Sequence, residues 1–285
     1  MYGTFFCREG DLIFKQLTKY SAHTRNEVAM LGSLIREGDN ILDIGAHIGT
    51  FAIPFARFSK GKGRVFSFEG HPENYKLLLQ NIEINNLQGQ IWPVNAVVAE
   101  TEEAGLSVRL PDDSNTGAYY FQPGEESTGE GLRSVNIDSW YARQDGDFPL
   151  ALVKVDVEGA EVSVLRSCMN LLSGQLPALY IEINAQALRR FGHSARDIAA
   201  ILEPLGYHYF RNISARNSTN DEFRIASLSN IEAGGGFFDL LAIHPSDSRY
   251  PEHCAGGLAV AAFRAKAAVT GVGKRLRNRL VPDAG

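Results

Sequence analysis

The chain has 285 residues, 44% of them hydrophobic and 21% charged, with a formal net charge of -5. Such a length and composition suit one large globular domain with extensions, and the acidic balance argues against a protein that grips nucleic acid through a basic face, so no nucleic-acid partner is expected. Cys7, Cys168 and Cys254 lie far apart with no C-x-x-C pair, a pattern of free thiols in a reducing compartment rather than a zinc site or disulfide framework.

In chain order, the first 23 residues form an N-terminal extension without the basic start and long apolar run of a signal peptide. No apolar stretch reaches the roughly 18 residues of a membrane span, so no span is expected and the expected location is the cytoplasm. Residues 24–37 place Val28, Leu31, Leu34 and Ile35 at helical spacing, with Thr24 and Glu27 as a capping box and Gly38 as the stop. A buried strand follows from Asn40 to Gly45, then a glycine-rich turn and a helix over Thr50–Phe58. A second strand spans Arg64–Glu69, a helix runs from His71-Pro72 to Asn85-Asn86, and a third strand covers Gln90–Val98. This β-α-β-α-β order predicts a parallel sheet covered by helices on both faces.

Residues 99–131 break the rhythm and read as an insertion, with short strands at Leu106–Leu110 and Tyr119–Phe121 and a loop over Pro123–Gly131. A strand resumes at Leu132–Ile137. Ala151–Val157 is a fourth sheet strand, Glu158–Leu172 a helix, Ala178–Ile183 a fifth strand and Ser194–Leu205 a helix. Tyr207–Arg211 and Phe237–Ile243 form a last strand pair joined by a polar loop. The main domain is set at 24–245. The tail, 246–285, is rich in small residues and then basic, with Lys274, Arg275, Arg277 and Arg279, and reads as a solvated tail or surface helix.

Three motifs carry chemistry. Asp43-Ile-Gly-Ala-His-Ile-Gly49 follows the first strand and opens a helix, where glycines permit a tight turn and the helix N-terminus offers free N–H groups to an anion. Its spacing is G-x-x-x-G rather than the G-x-G-x-x-G of dinucleotide binders. Glu69 ends the second strand, a place from which a carboxylate accepts both hydroxyls of a ribose. Lys154-Val-Asp-Val-Glu-Gly-Ala-Glu161 puts charge inside an apolar strand; Lys154 and Asp156 share one strand face, so they form either an internal ion pair or an active site. Glu182 is a second charge inside an apolar strand, beside Asp156 if the fourth and fifth strands are neighbours.

Assembled, these segments resemble the FkbM family of methyltransferases. The matching pieces are Ile41–Gly49, Val65–Asn74, Asn81-Ile-Glu-Ile-Asn85, Val135–Ser139, Lys154–Glu161 and Tyr180-Ile-Glu182. The resemblance implies a Rossmann-like class I methyltransferase fold, a mostly parallel seven-stranded sheet, with S-adenosyl-L-methionine as methyl donor. It also implies an acceptor hydroxyl on a sugar, glycan or polyketide-like small molecule. It places Asp43, Gly45 and Gly49 along the methionine part of the cofactor and Glu69 on the ribose; Ala46, His47 and Asn95 complete the expected cofactor set. The family usually carries Asn where this chain has His47, and Pro where it has Gly70.

Asp156 is the first candidate at the reacting centre, with Glu182 and Lys154 next, because methyl transfer to oxygen requires an aligned acceptor and a home for its proton. His193 is a weaker candidate base. A divalent metal on Asp156 and Glu182 is chemically open, since hard cations take carboxylates, but none is expected. Insertion 99–131 is read as an acceptor lid. The rival readings are a nicotinamide-dependent oxidoreductase and a catalytically inactive methyltransferase fold used as a binding module.

Overall fold

A computed structural model describes residues 2–102, 104–109, 120–123, 132–145, 148–249 and 261–264. The Pro123–Gly131 loop beyond its first residue and the basic tail residues lie outside these. Within them the chain builds the α/β fold expected: a sheet with helices packed on both faces.

Strands β1 (Asn40–Ile44), β2 (Val65–Phe68) and β3 (Ile91–Val94) pair in parallel, and β8 (Leu150–Val155) and β9 (Ala178–Asn184) continue the parallel set on the other side of β1. The antiparallel β12 (Phe237–Ile243) joins β9, followed by β10 (His208–Asn212), β11 (Glu222–Leu228) and β13 (Ala261–Arg264). The sheet order is therefore β13-β11-β10-β12-β9-β8-β1-β2-β3, nine strands where seven were expected. The two extra strands lie at one edge. One, β11, falls inside the expected polar loop, where Phe223 and Ile225 alternate inward; the other falls in the expected tail.

The sheet divides two apolar layers. Leu42, Ile44, Val153 and Val155 face one layer, with α5 (Ile137–Ala142), α6 (Glu161–Ser167), α7 (Met169–Gln175) and α9 (Ala195–Leu202). Ile41 and Leu152 face the other, with α2 (Arg25–Leu34), α3 (Ala52–Phe58) and α4 (Pro72–Ile84). The chain leaves β1 toward β2 and later returns on the opposite side through β8. Beyond the carboxyl ends of β1 and β8 the connections part, which opens the crevice where such sheets hold ligands.

Several local expectations change. Thr24 sits at φ 42 and its side chain caps nothing, so the capping box is not formed; the Glu27 carboxylate instead accepts from Asn212 at 3.0 Å. The third strand splits: Val97–Val98 (β4) leaves the main sheet to pair with β7 (Leu132–Val135). A second, four-stranded sheet adds β5 (Ala104–Arg109) and β6 (Tyr120–Pro123). The strand expected through Ile137 ends at Val135, because Asn136 accepts from the Ser139 N–H and starts α5. The helix expected from Glu158 begins at Glu161, since Glu158 (φ 55) and Gly159 (φ 114) are left-handed. It breaks at Cys168, and Asp138 accepts from the N–H groups of Asn170 and Leu171 in the second piece. Helices α1 (Leu12–Tyr20) and α8 (Ala185–Arg190) were not anticipated.

Candidate active site

A cavity of about 710 Å³ opens beyond the carboxyl ends of β1, β2, β8 and β9. On one side it is walled by Gly45, Ala46, His47 and Glu69; on the other by Asp156, Glu158, Glu182 and Arg216. The structure thus brings Glu69 and the Asp156 block, far apart in sequence, onto one space.

The glycine-rich turn is shaped first by its own chain. Gly45 has φ +80, and a Cβ there would lie 1.8 Å from the Asp156 carbonyl oxygen. Only glycine lets the ends of β1 and β8 come this close. Gly49, at φ +90, faces Leu78 rather than the cavity. His47 takes a left-handed φ of 51, a conformation in which Asn and His are both enriched; this accounts for His standing where Asn is usual. Its ring is buried, and burial lowers the imidazole to about 3.

Glu69 is 7% exposed. Its carboxylate accepts the His47 N–H at 2.7 Å and the His71 N–H at 2.8 Å. Burial pushes it up to about 7 against those two bonds. Two held oxygens at a cavity edge suit a pair of vicinal hydroxyls. Asn95 does not wall the cavity; its amide donates to the carbonyl of Glu69 at 2.8 Å and holds that turn in place. Gly70 is explained by the insertion: a Cβ there would come within 2.7 Å of the Phe121 ring and of Val97.

Asp43 and Lys154 face each other across β1 and β8 in register. Asp43 is fully buried and off the cavity wall. Lys154 Nζ lies 3.2 Å from Asp43 and 3.6 Å from Asp156, and donates to the Gly45 carbonyl at 2.9 Å. Burial opposes the ammonium, but Asp43 and then Asp156 outweigh it and hold Lys154 above its ordinary range. Asp156, its side chain one-third exposed, lies one residue beyond β8 and opens onto the cavity.

Asp156, Glu158 and Glu182 offer carboxylate oxygens within 4.8 Å of one another, the cluster among the described residues with the spacing to hold a cation. Burial, then the neighbouring Asp156 and Glu161, pushes Glu158 up to about 8. Burial and the charges of Asp156, Glu158 and Asp239 hold Glu182 well above the carboxylate range. The arrangement can therefore keep or pass protons near neutral pH.

Arg216 and Asp239 were missed in the sequence. Arg216 lies in the loop between β10 and β11, within 3.0 Å of Asp239 and 3.9 Å of Glu182, and its guanidinium stacks over Phe237. Asp239 opposes Glu182 across β12 and β9. A charge in the apolar run Phe237–Ile243 is the same signal that singled out Glu182; nothing in the polar loop marked Arg216. His193 is half-buried and away from the cavity wall.

Residues 43–209 match the family model described as the methyltransferase FkbM domain. The chain is 26% identical over 158 residues to the 31-O-demethyl-FK506 methyltransferase FkbM of Streptomyces tacrolimicus, covering 55% of this chain and 57% of that protein. It is 27% identical over 175 residues to the hexuronic acid methyltransferase AglP of Haloferax volcanii, covering 58% and 62%. The chain thus spans about three-fifths of the length of these curated relatives. A shorter match, 30% over 76 residues, covers 16% of a tRNA (guanine(37)-N(1))-methyltransferase of Batrachochytrium dendrobatidis. A solved structure of a methyltransferase FkbM from Methylobacillus flagellatus is 17% identical with a TM-score of 0.45, covering 81% of this chain and 51% of that one. No described helix is long and apolar enough to cross a membrane.

Proposed function

The chain belongs to the methyltransferase FkbM domain family, and from that premise we propose that it transfers a methyl group from S-adenosylmethionine to a hydroxyl of a sugar, glycan or polyketide-like small molecule. The observation that carries this reading is that Glu69 and Asp156 wall one and the same cavity. Bound there, S-adenosylmethionine supplies a methyl group already activated on a sulfonium. The residues fit it: the Glu69 carboxylate is preset by two N–H groups to receive the ribose hydroxyls, and the Gly45–His47 turn lines the neighbouring wall.

Asp156 accepts the proton of the acceptor hydroxyl as its oxygen attacks. Glu182, at the same end, is held in its protonated form by burial and its acidic neighbours and offers the acceptor a hydrogen-bond donor. Lys154 fixes the Asp156 carboxylate from behind and ties it to Gly45, so it acts by positioning. Arg216 and the aromatic face of Phe237 bound the acceptor end, an arrangement suited to a polyhydroxylated ring. We assign residues 24–245 to the methyltransferase domain and 99–131 to an acceptor lid, supported by Glu100, Thr101 and Phe121 on the cavity wall. The names of the two relatives with the longer matches, a 31-O-demethyl-FK506 methyltransferase and a hexuronic acid methyltransferase, support a small hydroxylated acceptor.

The test is a transfer assay with methyl-labelled S-adenosylmethionine, offered hexuronic acid glycosides, neutral glycosides, hydroxylated macrolides and tRNA. Label on a hydroxyl of the first three classes is the expected result. Label on tRNA alone would contradict the acceptor assignment.

A further inference from the structure

His23 lies in the turn between α1 and α2, in the segment that sequence reading sets aside as an N-terminal extension. It is half-buried, with its Nδ1 shut away from solvent, and it forms part of the cavity wall. Its ring meets Phe51 edge-on, with centroids 6.5 Å apart and planes at 88°. The Lys154 ammonium also neighbours Phe51, 5.2 Å from its ring centroid. His23 Nδ1 has no hydrogen-bond partner among the described residues. Buried polar atoms are normally satisfied, so an imidazole nitrogen left without a partner on a ligand cavity marks a place for a ligand's polar group.

The charged and titratable groups that act on His23 come from three neighbouring parts of the fold. Lys154 on β8 and Asp156 just beyond it, Arg216 in the loop after β10 and His47 in the turn after β1 are coupled to it electrostatically. Through Phe51 and Lys154 it thus stands near the parting of β1 and β8, on the same cavity as Asp156. Burial lowers the imidazole to about 4, with Asp156 pulling it back up, so the ring is neutral at physiological pH and carries one N–H donor and one free lone pair.

We propose that His23 is a second contact to the acceptor oxygen, opposite Asp156, at the point where the methyl group is transferred. This rests on the donor reading above. The acceptor hydroxyl would give its proton to Asp156 while one oxygen lone pair attacks the methyl carbon, the carbon–sulfur bond breaking to release S-adenosylhomocysteine, and the neutral imidazole N–H would bond to the other lone pair. The role of His23 is thus to aim the attacking oxygen.

The test needs no identified acceptor. An adenosine analogue carrying an aziridine at its 5′ position, in place of the sulfonium, alkylates a nucleophile placed at the transfer point. With His23 there and no acceptor bound, the imidazole tautomer that turns its lone pair toward the transfer point attacks a ring carbon of the aziridine. The carbon–nitrogen bond breaks, the opened ring nitrogen takes up a proton from water to become an amine, and the alkylated imidazole gives its N–H proton to the water in return. Peptide mapping by mass spectrometry should find the adduct on the peptide containing His23, and excess S-adenosylhomocysteine should abolish it. His23→Phe keeps the edge contact to Phe51; it should melt with the wild type, bind S-adenosylhomocysteine with unchanged affinity and lose the adduct. An adduct on another residue, or none in a protein that binds S-adenosylhomocysteine, overturns the assignment of His23. A protein that does not bind S-adenosylhomocysteine overturns the donor reading instead.

Discussion

Asp43 and Asp156 answer to the same lysine in different ways. Asp43 is buried within the sheet on β1 and is Lys154's nearer carboxylate, at 3.2 Å; Asp156 is 3.6 Å away and open to the cavity. Removing the Asp43 charge leaves a buried ammonium short of its main partner, so Asp43→Asn should lose about 3–5 kcal/mol of stability. Asp156→Asn leaves that pair intact and should melt near the wild type while losing about 100-fold or more in turnover. Thermal melts of the two variants beside a transfer assay decide it; equal destabilisation would make Asp156 a structural partner. Glu69 adds a pH dependence. Its carboxyl is raised from 4.5 to about 7, so its contribution to stability is full below pH 4.5 and lost as pH rises through 7. A ribose prefers the ionised form, so affinity for S-adenosylhomocysteine should run the other way, weakening about tenfold from pH 6 to pH 5. Calorimetry across that range checks it, and Glu69→Gln should flatten the dependence. At this scale charge inside an apolar strand was a legible signal, and it found Lys154 and Glu182. Arg216 and His23 escaped because polar side chains in polar loops carry no contrast; only the folded chain shows that they wall a cavity.

Elements are joined here by side chains whose purpose the sequence hid. Asn81, fully buried on α4, donates to the carbonyls of Phe6 at 3.0 Å and Ile48 at 2.9 Å and accepts the Phe6 N–H at 2.6 Å. Asn85, one turn on, binds Thr4 through both its N–H and its carbonyl. The motif Asn81–Asn85 is thus a clamp that ties α4 to the N-terminal segment and to the turn after β1. Asn81→Ala should cost about 3 kcal/mol, three bonds with buried groups left unsatisfied, read as a drop in denaturation midpoint; an unchanged midpoint would show that the clamp is dispensable. Gly45→Ala meets both a left-handed φ and the Asp156 carbonyl and should lose about 3 kcal/mol or more. Strand positions were legible because β1, β8 and β9 are apolar and continuous. Breaks were not: the split of α6 from α7 at Cys168 depends on Asp138, about thirty residues away, and no local pattern announces it. The alternation in Glu222–Leu228 was present but lay among Asn, Ser and Thr residues that suggested a loop.

Across the molecule, the two lips of the cavity come from distant parts of the chain. Asp11, Leu12 and Gln16 from the N-terminal segment line it, as do Arg216 and Asn217 from the β10–β11 loop. They are tied together where Tyr2 and Arg25 both bond Asp221, and where the Asn26 amide donates to the Glu222 carbonyl at 2.9 Å. The N-terminal segment therefore belongs to the site, although its sequence has neither a motif nor a long apolar run. The sheet's central order followed from the β-α-β succession, whereas its extension to nine strands rests on edge pairings that span long loops. The donor-binding account stands most directly on one measurement, calorimetric titration with S-adenosylhomocysteine of the wild-type chain and of Glu69→Ala. The wild type should bind, and the variant should lose about 2–4 kcal/mol as two charge-assisted hydrogen bonds disappear. No binding by the wild type, or tight binding of NAD in its place, would contradict the account.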